Sequence, residues 1–205
     1  VLPFRPARSA RLYARIWDGE EFPLITWTRD FARSVGQKLK GENFEVDHAF
    51  LLSSPRIGDV WDEWERDVKE GRDPASELFV IAMFPQYSES TVASGMDMFW
   101  KELSHRALIP PFRFLTDFHK SRAFIDNSLT IIRENLEEFR TEGEIDALVL
   151  SFHGIPKRRV IEKGDPYYLH CYETFALIKR GLVSRGDMPA ENIHMTFQSR
   201  FGSEE

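Results

Sequence analysis

The sequence predicts an α/β protein with helices packed on mainly parallel strands, and three observations point there. Stretches of helical and strand-like periodicity alternate almost without interruption. The strand-like stretches are rich in Phe, Val, Ile or Leu and bounded by Gly, Pro or charged residues. Adjacent prolines in Ile109-Pro110-Pro111 interrupt the alternation once. Two βαβ-type lobes, residues 1–110 and 111–205, are therefore expected to meet there.

Taken in order, the first lobe reads as helices over Ala7–Trp17 and Trp27–Lys40, a strand over Phe44–Leu52, a helix over Asp59–Glu70, a strand over Glu77–Phe84 and a helix over Ser90–Leu103. Trp61 and Trp64 stand at helical spacing and read as core contacts, and Met96 with Met98 carries no stronger signal. The second lobe reads as a strand over Phe112–Phe118, a helix over Lys120–Thr141, a strand over Ile145–Phe152, a helix over Pro166–Arg185 and a strand over Asn192–Arg200. Tyr168, Tyr172, Phe175 and Ile178 follow three- and four-residue steps, as one buried helix face would. Asp165 before Pro166 predicts a cap followed by a proline at the first helical position, where its missing N–H costs nothing. Val1 opens directly into a turn with Pro and Arg, and Glu205 follows a strand and a Gly turn without a closing helix, so the sequence reads as a fragment.

Composition narrows the function. With 42% hydrophobic residues, 17 Phe among them, the chain can bury a substantial core. A formal charge of −6 lacks the basic field that nucleic-acid binding needs. One cysteine, Cys171, can form neither an internal disulfide nor a Cys-rich metal cluster, and fits a reducing compartment. The apolar runs are strand-sized, short of the roughly 20 residues that cross a bilayer, and no secretory signal is evident. A cytoplasmic location is the expectation.

In open α/β sheets, ligands collect where loops leave the carboxyl ends of strands. Three such ends are unusually polar: Phe84-Pro85-Gln86-Tyr87-Ser88, Ser151-Phe152-His153-Gly154-Ile155-Pro156 and Phe197-Gln198-Ser199-Arg200-Phe201-Gly202. His153 is the side chain best suited to exchange protons or bind a transition metal near neutral pH, although the same spacing fits a histidine hydrogen-bonded within a loop. His170, Cys171 and Glu173 look like ligands on paper, but consecutive helical positions point in different directions and are not expected to converge on one ion. Lys157-Arg158-Arg159 reads as a solvated basic turn, with attraction of an acidic ligand the lesser alternative. No Walker lysine loop, G-x-G-x-x-G or G-x-S-x-G occurs.

The string Leu150-Ser151-Phe152-His153-Gly154-Ile155-Pro156, then Lys163-Gly164-Asp165-Pro166-Tyr167, then Phe197-Gln198-Ser199-Arg200-Phe201-Gly202, resembles the ferrochelatase family. Upstream, Phe84-Pro85-Gln86-Tyr87-Ser88 is similar to the family's PQYS segment, and Leu2-Pro3-Phe4-Arg5-Pro6 with Ser9, Ala10, Tyr13, Ile16 and Trp17 resembles its early helix. The likeness runs along essentially the whole chain. It implies two Rossmann-like, chelatase-type lobes, incomplete at both termini, with a cleft between them where Fe²⁺ enters a porphyrin, protoporphyrin IX or coproporphyrin III, in haem synthesis.

The same resemblance assigns roles. His153 occupies the catalytic histidine position, as acceptor of pyrrole protons or handler of the incoming metal. Tyr87 and Ser88 match positions bordering the porphyrin, by contact or through backbone placement. Arg56, in Pro55-Arg56-Ile57-Gly58, is similar to the family's Arg-Tyr-Gly turn and could pair with a propionate, with Ile57 in place of the tyrosine. Ser151, Asp165, Tyr167, Gln198 and Ser199 would shape the cleft, Asp165 by capping the helix after the histidine loop.

Ferrous iron is then a substrate, and this chain itself is expected to hold no cofactor. An iron–sulfur cluster occurs in some relatives in a C-terminal extension that this chain lacks. The family also continues into a strand–helix unit with a glutamate opposite the histidine, which Glu204 and Glu205 do not match. The alternative is therefore a non-catalytic tetrapyrrole-binding protein without that acidic segment. Peripheral membrane association, through segments outside these residues, and oligomeric state are left open by the sequence.

Overall fold

The computed structural model describes residues 10, 14–15, 17 and 21–199. The expected helix Ala7–Trp17 falls almost wholly outside them, as do Arg200, Phe201 and Gly202. The chain divides into two compact units, Val1–Pro74 and Ala75–Glu205.

In the first unit, α1 spans Pro23–Lys38, starting before the expected Trp27 because Pro23 at the first turn suits a fixed φ and a missing N–H. Helix α2 spans Ile57–Lys69. Its start is fixed by Asp59, whose Oδ2 accepts the Arg56 N–H at 2.7 Å. Trp61 is buried and meets Trp64 edge-on at 5.5 Å, the core contact expected from their spacing. The expected strand Phe44–Leu52 does not form: Phe50 makes one isolated bridge to Arg56, and the rest has no ladder partner among the described residues. Apolar alternation favours an extended backbone, but a strand also needs a neighbour.

In the second unit, β1 (Leu78–Ile81) pairs in parallel with β2 (Phe112–Leu115), Leu78 opposite Phe112 and Ile81 opposite Leu115. Ile109-Pro110-Pro111 lies inside this unit, leading into β2, and the Pro111 carbonyl accepts the Leu78 N–H at 2.8 Å. Strand β1 is shorter than the apolar run because the chain turns at Ala82–Phe84, where the Phe84 N–H reaches the Ala82 carbonyl at 2.7 Å. A π-helical turn, Glu89–Ala93, leads into α3 (Ser94–Leu103), so the expected single helix is two pieces.

Helix α4 (Arg122–Arg140) is capped by Ser121, whose hydroxyl accepts the Phe124 N–H at 3.3 Å. It leads to β3 (Leu148–His153), the short helix α5 (Lys157–Ile161), the long α6 (Tyr167–Ser184), a 3₁₀ turn (Ala190–Asn192) and β4 (Ile193–Gln198). Helix α5 stands where a basic turn was expected. Strands β3 and β4 pair in parallel, Leu148 opposite Ile193 and His153 opposite Gln198. Parallel pairs are the expected α/β arrangement, forming two two-stranded sheets among the described residues.

The core lies on one face of β3–β4, where Ile125, Leu129 and Leu136 of α4 meet Ile178 and Leu182 of α6 over Ile193. Gly181 permits this approach: a Cβ there would lie 2.6 Å from Leu129 Cδ1. The buried stripe of α6 is Cys171, Thr174, Ile178 and Leu182. Tyr168 and Tyr172, expected on the buried face, are exposed. Ile178 is buried and Phe175 packs against the core as expected, but the first two turns bury the small Cys171 and Thr174 in place of the tyrosines.

Candidate functional site

Strand alternation decides which side chains of β3 are available. Leu148, Leu150 and Phe152 turn toward the helices, while Val149, Ser151 and His153 occupy the exposed face. His153 is the last residue of the strand, opposite Gln198. Gly154 then donates its N–H to the Gln198 carbonyl at 2.6 Å. A Cβ at Gly154 would sit 3.0 Å from both the Gln198 and the Ser199 carbonyl oxygens, so the histidine turn and the end of β4 touch main chain to main chain. Ser199 takes a left-handed φ of 68°, uncommon for a residue other than glycine.

The Tyr167 phenol lies near the main chain of His153 and the Cys171 thiol, close enough for both to influence its titration. Burial raises the Tyr167 phenol above its usual range and pushes the Cys171 thiol up to about 12, so both stay protonated and neutral.

A second knot joins the Gln86–Ser88 turn to the start of α6. Asp165 is buried; its Oδ2 accepts the Ser88 hydroxyl and the Glu89 N–H, each at 2.9 Å, and its Oδ1 accepts the Tyr167 N–H at 3.0 Å. Asp165 thus caps α6, with Pro166 at the cap position rather than inside the helix. Ser88 is 1% exposed and its hydroxyl donates to Asp165. Arg159 and Lys163 reach Glu89 at 3.1 and 3.0 Å, which gives the basic segment a structural partner.

Beside this knot, the loop after β2 supplies a cluster that the sequence reading missed. His119, 2% exposed, has Asp117 Oδ1 at 2.7 Å from Nδ1 and Glu173 Oε2 at 2.6 Å from Nε2. His170 stacks on it, ring centroids 3.8 Å apart and planes 9° from parallel. The bond from His119 holds the Glu173 carboxyl below its usual range. Burial, then the charge of His119, lowers His170.

His170 and Glu173 both reach His119, because positions i and i+3 share a helix face, while Cys171 turns into the core. Asp117, His119 and His170 each place one donor atom within 4.8 Å of the others, spacing that could hold a cation. The usable signal was Asp-x-His at a strand's carboxyl end together with His-x-x-Glu on one helix.

The structure thus links Ser88, Asp165 and Tyr167 in one bonded set and the His153–Gly154 turn with Gln198 and Ser199 in another, with Tyr87 bonded to His170 alongside. Ser151 stays on the exposed strand face and borders an open cavity of about 360 Å³ with Gln86, Phe124, Leu150 and Ile178. Arg56 belongs to the first unit, exposed at the start of α2. No described helix is long and apolar enough to cross a membrane.

Comparison with known proteins agrees with this frame. The ferrochelatase family profile matches residues 1–205. The chain is 36% identical to a ferrochelatase of Idiomarina loihiensis over 208 aligned residues, covering 100% of this chain and 53% of that protein. Ferrochelatases of Marinobacter nauticus and Herminiimonas arsenicoxydans are 32% and 33% identical, each aligned over 100% of this chain and 52% of their own length. The chain spans about half the length of these curated relatives. With the family profile matched from end to end, the chain belongs to the ferrochelatase family.

Proposed function

We propose that this chain carries the histidine-bearing part of an enzyme that inserts Fe²⁺ into a porphyrin, protoporphyrin IX or coproporphyrin III, in the cytoplasm. The observation that carries the reading is His153 itself: exposed at a carboxyl strand end, on a turn held by Gly154 against Gln198 and Ser199. Metalation removes two pyrrole protons as the ring accepts the metal, so an imidazole beside the macrocycle has a defined task as proton acceptor or as handler of the iron. Tyr87 would border the ring, and the Arg56 guanidinium would pair with a propionate through its fork.

The test uses the purified full-length protein, followed by loss of free-porphyrin fluorescence on addition of ferrous iron under anaerobic conditions. His153→Ala is expected to lower kcat by about 10²–10⁴-fold, the range of general acid–base catalysis, with circular dichroism unchanged. Undiminished turnover in that variant rejects the role of His153. Porphyrin binding without metalation by the wild-type protein favours the tetrapyrrole-binding alternative.

A further inference from the structure

The paired histidines 119 and 170 have no part in the roles given so far, yet they end on a residue that does. The Tyr87 N–H donates to His170 Nδ1 at 3.2 Å. One residue earlier, Gln86 Nε2 donates to Thr174 Oγ1 at 3.1 Å, one helical turn further along α6. One residue later, Ser88 is bound to Asp165. The Gln86–Ser88 turn is therefore pinned at three successive residues, to Thr174, His170 and Asp165.

An imidazole accepts at Nδ1 only when that nitrogen carries no hydrogen. His119 helps to secure this. Both of its ring nitrogens face carboxylates, and its ring lies flat against His170, 3.8 Å between centroids. Protonation of His170 is disfavoured first by burial and then by His119. The other groups near His170 are Asp117 and Glu173, which favour its protonation, and Lys120, which opposes it; burial opposes it most.

We propose that His170 is a positioning residue, fixing the Tyr87 main chain through its Nδ1 acceptor, with the carboxylate-clamped His119 as the platform that sets its ring. Its consequence for porphyrin binding rests on the chelatase reading above; its consequence for the turn does not. A cation shared by Asp117, His119 and His170 is the competing use of these groups. The stack argues against it: in-plane lone pairs of nearly parallel rings do not converge, and both His119 nitrogens already face carboxylates.

The experiment measures hydrogen exchange at the Tyr87 amide in the full-length protein, alongside kcat and KM for porphyrin. His170→Leu removes the acceptor; His170→Asn restores an oxygen near the Nδ1 position. Loss of one hydrogen bond predicts exchange about tenfold faster in His170→Leu, with wild-type protection largely regained in His170→Asn. KM for porphyrin is expected to rise in His170→Leu more than kcat falls, and to recover in His170→Asn.

Wild-type exchange in His170→Leu, or failure of His170→Asn to rescue a folded protein, overturns the proposal. So does a change in wild-type exchange on chelator treatment, which would assign the cluster to a cation. If the wild-type protein metalates no porphyrin, the chelatase reading fails while the exchange data still decide the role of His170.

Discussion

Gly154 and Gln198 meet without a side chain between them, N–H to carbonyl at 2.6 Å, and this contact binds the histidine turn to the end of β4. Any Cβ at position 154 lies 3.0 Å from two carbonyl oxygens that belong to main chain and cannot swing away. Gly154→Ala is therefore expected to cost about 1–3 kcal/mol, the usual penalty of overpacking, and, on the role proposed above for His153, to depress turnover. Gly143, with open space around it, supplies the control: Gly143→Ala should move the unfolding midpoint little in a parallel thermal melt.

Asp165 predicts a loss at the upper end of the same range. Asp165→Ala strands the Ser88 hydroxyl and the Glu89 and Tyr167 N–H groups, all now bonded to one carboxylate. The expected cost is about 2–3 kcal/mol, because unmet buried donors forfeit their solvation. Asp165→Asn keeps acceptor oxygen and should recover part of it. Urea denaturation of the three proteins checks the order.

Helix packing offers a test independent of the site. Alanine is the better helix former by about 1 kcal/mol, yet Gly181→Ala is expected to destabilise, since its methyl would sit 2.6 Å from Leu129 Cδ1 in the core. Adding Leu129→Ala to Gly181→Ala should cost less than Leu129→Ala costs in the wild-type background. A double-mutant cycle showing additivity would count against this contact.

Acid should loosen the turn at Tyr87. Burial first, then His119, holds His170 below the usual 6.5, so as pH falls the unfolded chain binds this proton before the folded protein does. Stability contributed by neutral His170 is full above 6.5 and declines as pH drops from there toward the lowered folded value. Unfolding midpoints across this window should fall more steeply for wild type than for His170→Asn. An equal or shallower slope in wild type would refute the assignment.

Periodicity made the alternating helices and parallel pairs legible, because burial on one face leaves a repeat in the sequence. It misjudged Phe44–Leu52, whose pairing depends on a neighbour that local pattern does not encode. Of the face expected on α6, Phe175 and Ile178 meet the core, whereas Tyr168 and Tyr172 are exposed and Cys171 and Thr174 are buried instead. His153 stood out in a polar string at a strand end, and Asp165 and Tyr167 in the string Lys163–Tyr167 that opens α6. Asp117 and His119 did not, since their partner Glu173 is 54 residues beyond His119 and only the fold brings them together.

The solitary thiol of Cys171 lends the molecule a built-in clock. Fully enclosed and neutral, it is closed to alkylating reagents while α6 stays docked. Each labelling event must therefore wait for that helix to lift, so the rate of iodoacetamide uptake reads the frequency of local opening next to the histidine turn.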